Sequence, residues 1–278
     1  MANLNGNFMK QFNSINELVR YLDNAKVSST WQGYLQDSKR TDDPSWSGYN
    51  TYDEAREMIL KGDAGLAKKL RGTEKLDINI PITGTRRRIT TAVAGFAPHV
   101  PNYIAGVPNN MLWCVEKKVQ QHILTIVYNI GCLSGSSGDE VTKVSARIMS
   151  AIMSAERKGH RINLWVASAQ TKGGQKCGFL CKIKEAGQHI DTHKMALPMI
   201  SPAMNRRFGF RFRETMEGLS DVWVYGYGYS MGTRELETWL HDHSFKYDVA
   251  FAYESVKNIS NVEQLEKLFL DAANKLKK

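Results

Sequence analysis

Long apolar runs are missing from this chain of 278 residues, and we expect no signal peptide. Polar residues interrupt each apolar run well before the roughly 18 residues that a membrane-spanning helix requires. Residues 1–6 have neither the basic nor the apolar region of a signal peptide. The sequence therefore predicts an intracellular protein with no membrane partner.

Cysteine is scarce, and the four residues are Cys114, Cys132, Cys177 and Cys181. Such a small number argues against the disulfide frameworks of small secreted domains. Cys177 and Cys181 alternate with Phe179 and Ile183, a period of two that predicts the buried face of a β-strand. We therefore expect reduced, structural thiols.

Signatures of catalysis and of cofactor binding are also absent from the sequence. No serine lies in a Gly-x-Ser-x-Gly elbow. The glycines of loop 131–138 match neither a P-loop nor a dinucleotide-binding fingerprint. Its amides and the following helix are an alternative phosphate site, but the carboxylate of Asp139 would repel an anion. We expect no cofactor and no catalytic residues.

Positive charge is in excess, with 37 Lys and Arg against 28 Asp and Glu and a net charge of +9. This excess favours association with polyanions, although basic clusters can also be solvated surface. The candidate nucleic-acid contacts are seven arginines in two clusters: Arg86, Arg87, Arg88, Arg206, Arg207, Arg211 and Arg213. Phenylalanines alternate with the second cluster, which suits base stacking. On a helix, by contrast, Phe208 and Phe212 would enter the core. Arg206, Arg207 and Arg213 would then extend towards solvent.

The pattern of residues 122–169 predicts a βαβ unit. An apolar run over 122–130 precedes a small-residue loop, an amphipathic stretch and a second apolar run over 161–169. Apolar residues in the amphipathic stretch repeat every three or four positions, as in a helix packed on a sheet, and Asp139 is its expected N-cap. Because such crossovers are right-handed, loop 131–138 should open at the carboxyl edge of the sheet, where α/β folds bind ligands.

The same loop resembles the metal site of von Willebrand factor A domains. Those domains bind a divalent cation with Asp-x-Ser-x-Ser at this place, and this chain has Cys132-Leu133-Ser134-Gly135-Ser136. The resemblance implies a von Willebrand A-like sheet in which Ser134 and Ser136 are candidate ligands. Cys132 stands where Mg²⁺ would find its carboxylate, so we predict that the metal site has been lost.

A second candidate metal site contains His189, Asp191 and His193. The three residues would share one face of a strand, and imidazole and carboxylate groups are ligands of Zn²⁺. The alternative, which we favour, is a polar loop in which Asp191 caps the next helix.

Strand and helix signals alternate over residues 116–278, whereas residues 1–115 hold short helices joined by polar loops. We predict an α/β domain over 116–278, with a layered, mostly parallel sheet of Rossmann-like or von Willebrand A-like kind. Residues 1–115 should pack on it as a helical and loop-rich segment. Further predicted elements are helices over 15–22, 52–60, 65–70, 202–216 and 233–240, a C-terminal helix from Ser260, and strands over 177–184, 221–228 and 247–253.

Motifs spread along most of the chain resemble an uncharacterised protein family of tailed bacteriophages. They are Trp46-Ser-Gly-Tyr49, residues 52–62, Ala94-Gly95, residues 100–111 and Arg206-Arg207-Phe208. The resemblance implies a phage product in the bacterial host cytoplasm or in the virion, with phage or host proteins as partners. It implies no assigned activity and no catalytic residues.

Three functions are open on the sequence alone. The first, which we favour, is a non-enzymatic phage protein that binds nucleic acid or a nucleoprotein partner through a basic face. The second is a metal-dependent hydrolase or nuclease that uses His189, Asp191 and His193. The third is a virion or assembly component acting by protein–protein contacts. Arginine clusters on one surface favour the first, histidines and carboxylates in one pocket the second, and a large exposed apolar patch the third.

Overall fold

The computed structural model of this chain describes residues 3–4, 6–41, 44–73, 85–118, 123–133, 135–258, 264 and 267. The described strands form a main sheet of seven strands and a small sheet of three. In chain order they are β1 (Asn3–Leu4), β2 (Asn7–Phe12), β3 (Thr85–Ala92), β4 (Ala97–Pro98), β5 (Met111–Lys118), β6 (Ile123–Asn129), β7 (Arg161–Lys172), β8 (Gln175–Lys184), β9 (Tyr229–Ser230) and β10 (Val249–Ala252).

The main sheet has the strand order β1-β2-β8-β7-β6-β10. The strands β7, β6 and β10 run parallel to one another, and β2 runs parallel to β8. β7 and β8 form an antiparallel hairpin. β9 pairs antiparallel with Gln170 and Thr171, near the end of β7. The predicted α/β class with a mostly parallel sheet is confirmed.

Helices pack on both faces of the main sheet. In chain order, the α-helices of the described residues are α1 (Ile15–Asn24), α2 (Pro44–Ser47), α3 (Tyr52–Lys61), α4 (Ala64–Gly72), α5 (Val100–Ile104), α6 (Gly138–Arg157), α7 (Thr192–Ile200), α8 (Phe210–Glu214), α9 (Thr233–Asp242) and α10 (Tyr253–Val256). None of the helices in the described ranges is long and apolar enough to cross a membrane.

Side-chain alternation along β6 divides the interior into two layers. Ile126 and Tyr128 point into the larger core, which also holds the buried faces of α1, α3, α4, α6 and α7. Val127 points to the other face, where Leu236 and Trp239 of α9 cover the sheet. The helices predicted over 15–22, 52–60, 65–70 and 233–240 are confirmed.

The predicted βαβ unit is confirmed as β6, α6 and β7, with Ile123 opposite Arg161 in parallel register. The cap of α6 differs from the prediction. The hydroxyl of Ser137, not Asp139, accepts a hydrogen bond from the backbone N–H of Glu140 at 3.1 Å. Asp139 lies inside the first turn of α6, where its negative charge interacts favourably with the positive end of the helix dipole.

The N-terminal residues join the same sheet as the C-terminal half. β2 pairs with β8 along its whole length, from Asn7 opposite Lys176 to Phe12 opposite Cys181. Phe12 is buried in the larger core, where its ring contacts the ring of Phe179. Residues from the N-terminal segment and from the predicted α/β region therefore share one core.

The structure differs from the predicted elements in two places. Residues 221–225 form a 3-10 turn instead of a strand, because Gly226 and Gly228 adopt positive φ angles that end an extended run. The helix predicted over 202–216 is a π-helical segment, Met204–Gly209, followed by α8. The predicted C-terminal helix from Ser260 falls outside the described residues, apart from positions 264 and 267.

Candidate functional site

The arginines predicted to contact nucleic acid do not form one surface. Arg207, Arg211 and Arg213 are buried, whereas Arg206 is only half-buried. Phe208 and Phe212 are fully buried, as the helical alternative predicts, but Arg207 and Arg213 do not extend outward. Three of the seven candidate arginines are therefore unable to reach a phosphate in this conformation, which corrects that part of the prediction.

Arg207 is buried because it finds backbone acceptors inside the protein. Its guanidinium group donates to the carbonyl oxygens of Ser38 at 3.2 Å, Arg40 at 2.7 Å, Tyr49 at 2.9 Å and Asn50 at 2.6 Å. A guanidinium group can satisfy several acceptors at once in a fixed geometry. Arg207 therefore fastens the loop between residues 38 and 50 to the π-helical segment.

The buried carboxylate of Glu214 organises the neighbouring loop. It accepts hydrogen bonds from the backbone N–H of Ser38 at 3.0 Å and from the hydroxyl of Tyr227 at 2.6 Å. The guanidinium group of Arg211 lies 3.8 Å from it and also donates to the carbonyl of Ala25 at 3.0 Å. Arg211 is thus a partner for a buried charge, and its role is structural.

Arg213 contacts polar side chains beneath the main sheet. It donates to the hydroxyl of Ser168 at 3.0 Å and to the side-chain oxygen of Asn205 at 3.3 Å. Burial lowers the pKa of Arg213 to about 10, so the group is still charged at neutral pH. These contacts also place Arg213 in the protein interior.

The first arginine cluster belongs to the small sheet of β3, β5 and β4. In the antiparallel pair of β3 and β5, Arg88 lies opposite Val115 and Thr90 lies opposite Trp113. Directly opposed residues share a face, so Arg88, Val115 and Trp113 lie on the same face of the sheet. Arg88 is exposed, while the side chains of Arg86 and Arg87 are outside the described part of the chain.

No described side chain between residues 88 and 115 is buried. On the face of Arg88, Trp113 is 50% exposed and Val115 is 42% exposed. On the opposite face, Ile89 is 61% exposed. The connection between the strands adds further exposed apolar side chains, namely Val93, Phe96, Val100, Tyr103 and Ile104. The small sheet is therefore an exposed apolar patch of the kind that marks interaction surfaces.

The loop that resembles a von Willebrand A metal site offers little to a cation. Burial raises the pKa of the Cys132 thiol to about 12, so the group in the place of the missing carboxylate is protonated at neutral pH. Ser136 is buried, and its carbonyl oxygen accepts a hydrogen bond from the indole of Trp46 at 2.7 Å. Ser134 lies outside the described residues.

The three residues of the second candidate metal site have separate roles. Asp191 caps α7, because its carboxylate accepts the backbone N–H of His193 at 3.0 Å. The ring of His193 lies 2.8 Å from the guanidinium group of Arg71, and His189 is exposed. No cluster of His, Cys, Asp or Glu in the described residues has the geometry to hold a metal ion. The helix-cap interpretation of Asp191 is confirmed.

The small sheet is the feature that the sequence prediction missed. Residues 111–115 are apolar at every position, which is typical of a strand covered on both faces. That signal was available in the sequence. The structure differs from that expectation, because Trp113 and Val115 on one face of the strand are exposed and Leu112 and Cys114 on the other face are half-buried.

A family model described as a domain of unknown function, DUF7192, matches residues 3–266. No curated protein and no solved structure matches the chain.

Proposed function

The chain belongs to the DUF7192 family of domains of unknown function, and we propose that it is a non-enzymatic assembly component that binds an acidic protein through the small sheet. The observation that carries the proposal is the exposure of apolar side chains on both faces of the small sheet, with Trp113 and Val115 on one face and Ile89 on the other. Full burial of one such side chain contributes about 1.5–3 kcal/mol. A partner that covers several of them would gain stability from each.

The lack of a layer packed on the small sheet supports the same proposal. Small sheets need a hydrophobic face packed against something before they are stable by themselves. Phe96, in the connection between the strands, and Val100 and Ile104, in α5, are all more than half exposed. A protein surface packed on the sheet would supply the missing layer.

Aliphatic side chains favour a protein partner over a nucleic acid. Ile89, Val93 and Ile104 are exposed along the sheet and its connection, and such side chains offer no aromatic surface for base stacking. They match the apolar centre of a protein interface. These side chains support a protein partner.

The charge of the small sheet indicates the sign of the charge on the partner's surface. The strands β3 and β5 contain five basic residues, Arg86, Arg87, Arg88, Lys117 and Lys118, against the single acidic residue Glu116. Arg86 lies opposite Lys117 at one end of the sheet. Two copies of this chain would bring like charges together, whereas an acidic partner complements them. In keeping with the resemblance to tailed-phage proteins, the partner on this proposal is a phage or host protein.

The test compares partner binding by three forms of the full chain. Wild type is compared with Trp113→Ser/Val115→Ser, and with a control, Leu35→Ser/Val222→Ser, which removes exposed apolar side chains outside the small sheet. A protein that co-purifies with wild type is then purified, and its affinity is measured directly. We expect the small-sheet variant to weaken binding by about tenfold or more, the control to bind as wild type, and Arg88→Glu to weaken binding by charge reversal.

Three results would contradict the proposal. Equal binding by both double variants would separate the partner from the small sheet. Light scattering that shows a dimer dissolved by Trp113→Ser/Val115→Ser would identify a second copy as the occupant. Filter binding to DNA or RNA that the same variant abolishes would restore the nucleic-acid hypothesis.

A further inference from the structure

A cleft of about 470 Å³ lies at the carboxyl ends of β6 and β7, and none of its described lining residues belongs to the small sheet. Cys132 and Leu133, which follow β6, line one side, and Gln170 and Lys172, near the end of β7, line another. The segment 225–229 and the π-helical segment close the remaining sides. Open α/β sheets bind ligands at this edge. We refer to it as the carboxyl-edge cleft.

One wall of the cleft is aromatic. The rings of Phe210 and Tyr227 are stacked, with centroids 3.7 Å apart and planes 7° apart. Trp31 extends the stack behind Tyr227 at 4.9 Å. The guanidinium carbon of Arg206 lies 4.9 Å from the Phe210 centroid. This wall combines a rigid planar surface with a cation.

Two tyrosines stand at the mouth of the cleft. Gly226 and Gly228 have φ angles of +133° and +90°, and these conformations turn alternate side chains of the segment in opposite directions. Tyr227 is buried as a result, whereas Tyr225 and Tyr229 are 78% and 68% exposed. Exposed aromatic rings beside a cleft are available for stacking with a planar ligand.

The cleft carries an excess of positive charge. Its lining residues include the cations Lys172 and Arg206, and Asp37 is the only carboxylate among them in the described part of the chain. Arg206 lies 3.4 Å from Asp37, which leaves the charge of Lys172 without a carboxylate in the lining. The ammonium group donates to the carbonyl of Gly226 at 3.0 Å, and burial lowers its pKa. A bound anion would offset that loss of solvation.

The floor of the cleft has an unmet hydrogen-bond acceptor. Gln170 and Asn205 are both 2% exposed, and the amide nitrogen of Gln170 donates to the side-chain oxygen of Asn205 at 3.4 Å. The side-chain oxygen of Gln170 is buried and has no hydrogen-bond partner among the described residues. Such an acceptor is costly to leave unpaired, and a ligand N–H could satisfy it once the amide turns towards the cleft.

We propose that the carboxyl-edge cleft binds a nucleotide unit, with the phosphate at Lys172 and Arg206, the base against the aromatic side chains, and a base N–H directed to Gln170. The cleft volume falls in the range of about 300–1,000 Å³ that is typical of small-molecule sites. A free nucleotide and the phosphorylated end of a single strand present the same unit. The proposal is independent of the protein partner of the small sheet.

Calorimetric titration of the full chain tests the proposal. The probes are the four nucleoside 5′-monophosphates, the matching nucleosides, inorganic phosphate and a 5′-phosphorylated oligonucleotide. We expect at least one monophosphate to bind about tenfold or more tightly than either its nucleoside or inorganic phosphate. Tighter binding of the oligonucleotide, in competition with the monophosphate, would identify a strand end as the source, and the opposite order a free nucleotide.

Variants with matched controls assign the binding to the cleft. Lys172→Met and Tyr225→Ala/Tyr229→Ala should each weaken monophosphate binding by about tenfold or more, because each removes an anion or stacking contact. Lys143→Met and Tyr103→Ala, which change exposed residues elsewhere, should bind as wild type, and so should Trp113→Ser. Lys172→Arg should retain most of the affinity and shows that the site is folded.

Three results would overturn the proposal. They are no saturable binding of any nucleotide or oligonucleotide at millimolar concentration, equal affinity for inorganic phosphate and the monophosphates, and equal losses in the cleft variants and their controls.

Discussion

The indole Nε1 of Trp46 donates a hydrogen bond to the carbonyl oxygen of Ser136 at a distance of 2.7 Å. This bond joins α2, in the N-terminal part, to the loop between β6 and α6. Gly138 brings the two segments still closer, since a Cβ atom there would lie 2.0 Å from the carbonyl oxygen of Trp46. The loop between β6 and α6 is thus covered by α2.

Gly138→Ala should destabilise the protein because the added methyl group collides with the backbone of Trp46. Relief requires a shift of α2 or of the first turn of α6, and we expect a cost of about 1–3 kcal/mol, as for other overpacked sites. Urea unfolding measures the change. Gly135→Ala is the control, since nothing lies within 4 Å of a Cβ at that position. Equal stability of the two variants would contradict the close approach.

Arg207→Met should destabilise the protein by about 3 kcal/mol, because it leaves the carbonyl oxygens of Ser38 and Tyr49 in buried contacts, and those of Arg40 and Asn50 in part-buried ones, without their donor. The free energy of unfolding in urea tests this, with Arg234→Met on the exposed face of α9 as the control. Limited proteolysis should cut Arg207→Met first between residues 38 and 50. A fully stable Arg207→Met protein would show that the arginine is not needed to hold this loop.

Thiol labelling should distinguish Cys114 from the other three cysteines. Cys114 is half-buried in β5, whereas Cys132, Cys177 and Cys181 are buried. At neutral pH we expect one thiol to react rapidly with a disulfide reagent and three to react only on unfolding. Cys114→Ser should remove the rapid phase. Rapid labelling of Cys177 or Cys181 in the native protein would contradict their structural role.

The same thiols predict a loss of stability at alkaline pH. Burial raises the pKa of Cys177 from 9.0 to about 12, so the folded chain holds this proton more tightly than the unfolded chain. This contribution to stability is fully present below pH 9 and is lost as the pH rises towards 12. Cys177→Ala should flatten the fall in the free energy of unfolding over that range. An unchanged slope would contradict the raised pKa.

Magnesium should not stabilise the fold, because Cys132 supplies a protonated thiol where the cation would need a carboxylate. Thermal melts with and without millimolar Mg²⁺ should overlay. A rise in the melting temperature that is lost in Ser136→Ala would show that the loop does bind the cation.

The βαβ unit could be predicted from the sequence because its signals are local. Apolar runs over 122–130 and 161–169 flank a helical period, and these patterns determine both the elements and their parallel pairing. The cap of α6 was misassigned by two residues, since Ser137 and Asp139 are both good N-cap residues and the choice depends on tertiary contacts.

The burial of the second arginine cluster could not be predicted from local pattern. Arg207 is buried because its acceptors lie on a loop more than 150 residues earlier in the chain. The sequence shows the cations but not the carbonyl groups that they meet. Likewise, the apolar residues 111–115 are typical of a covered strand, and the sequence does not show that Trp113 and Val115 are exposed.

Site-specific photo-cross-linking from position 113 tests the central claim most directly. A photoreactive phenylalanine analogue replaces Trp113 in one protein and Val222, outside the small sheet, in another, and both are irradiated in cells that make the protein naturally. The account predicts a covalent adduct between position 113 and an acidic surface of another protein, with no such adduct from position 222. Adducts at 113 to nucleic acid, to a second copy of this chain or to nothing at all would contradict it.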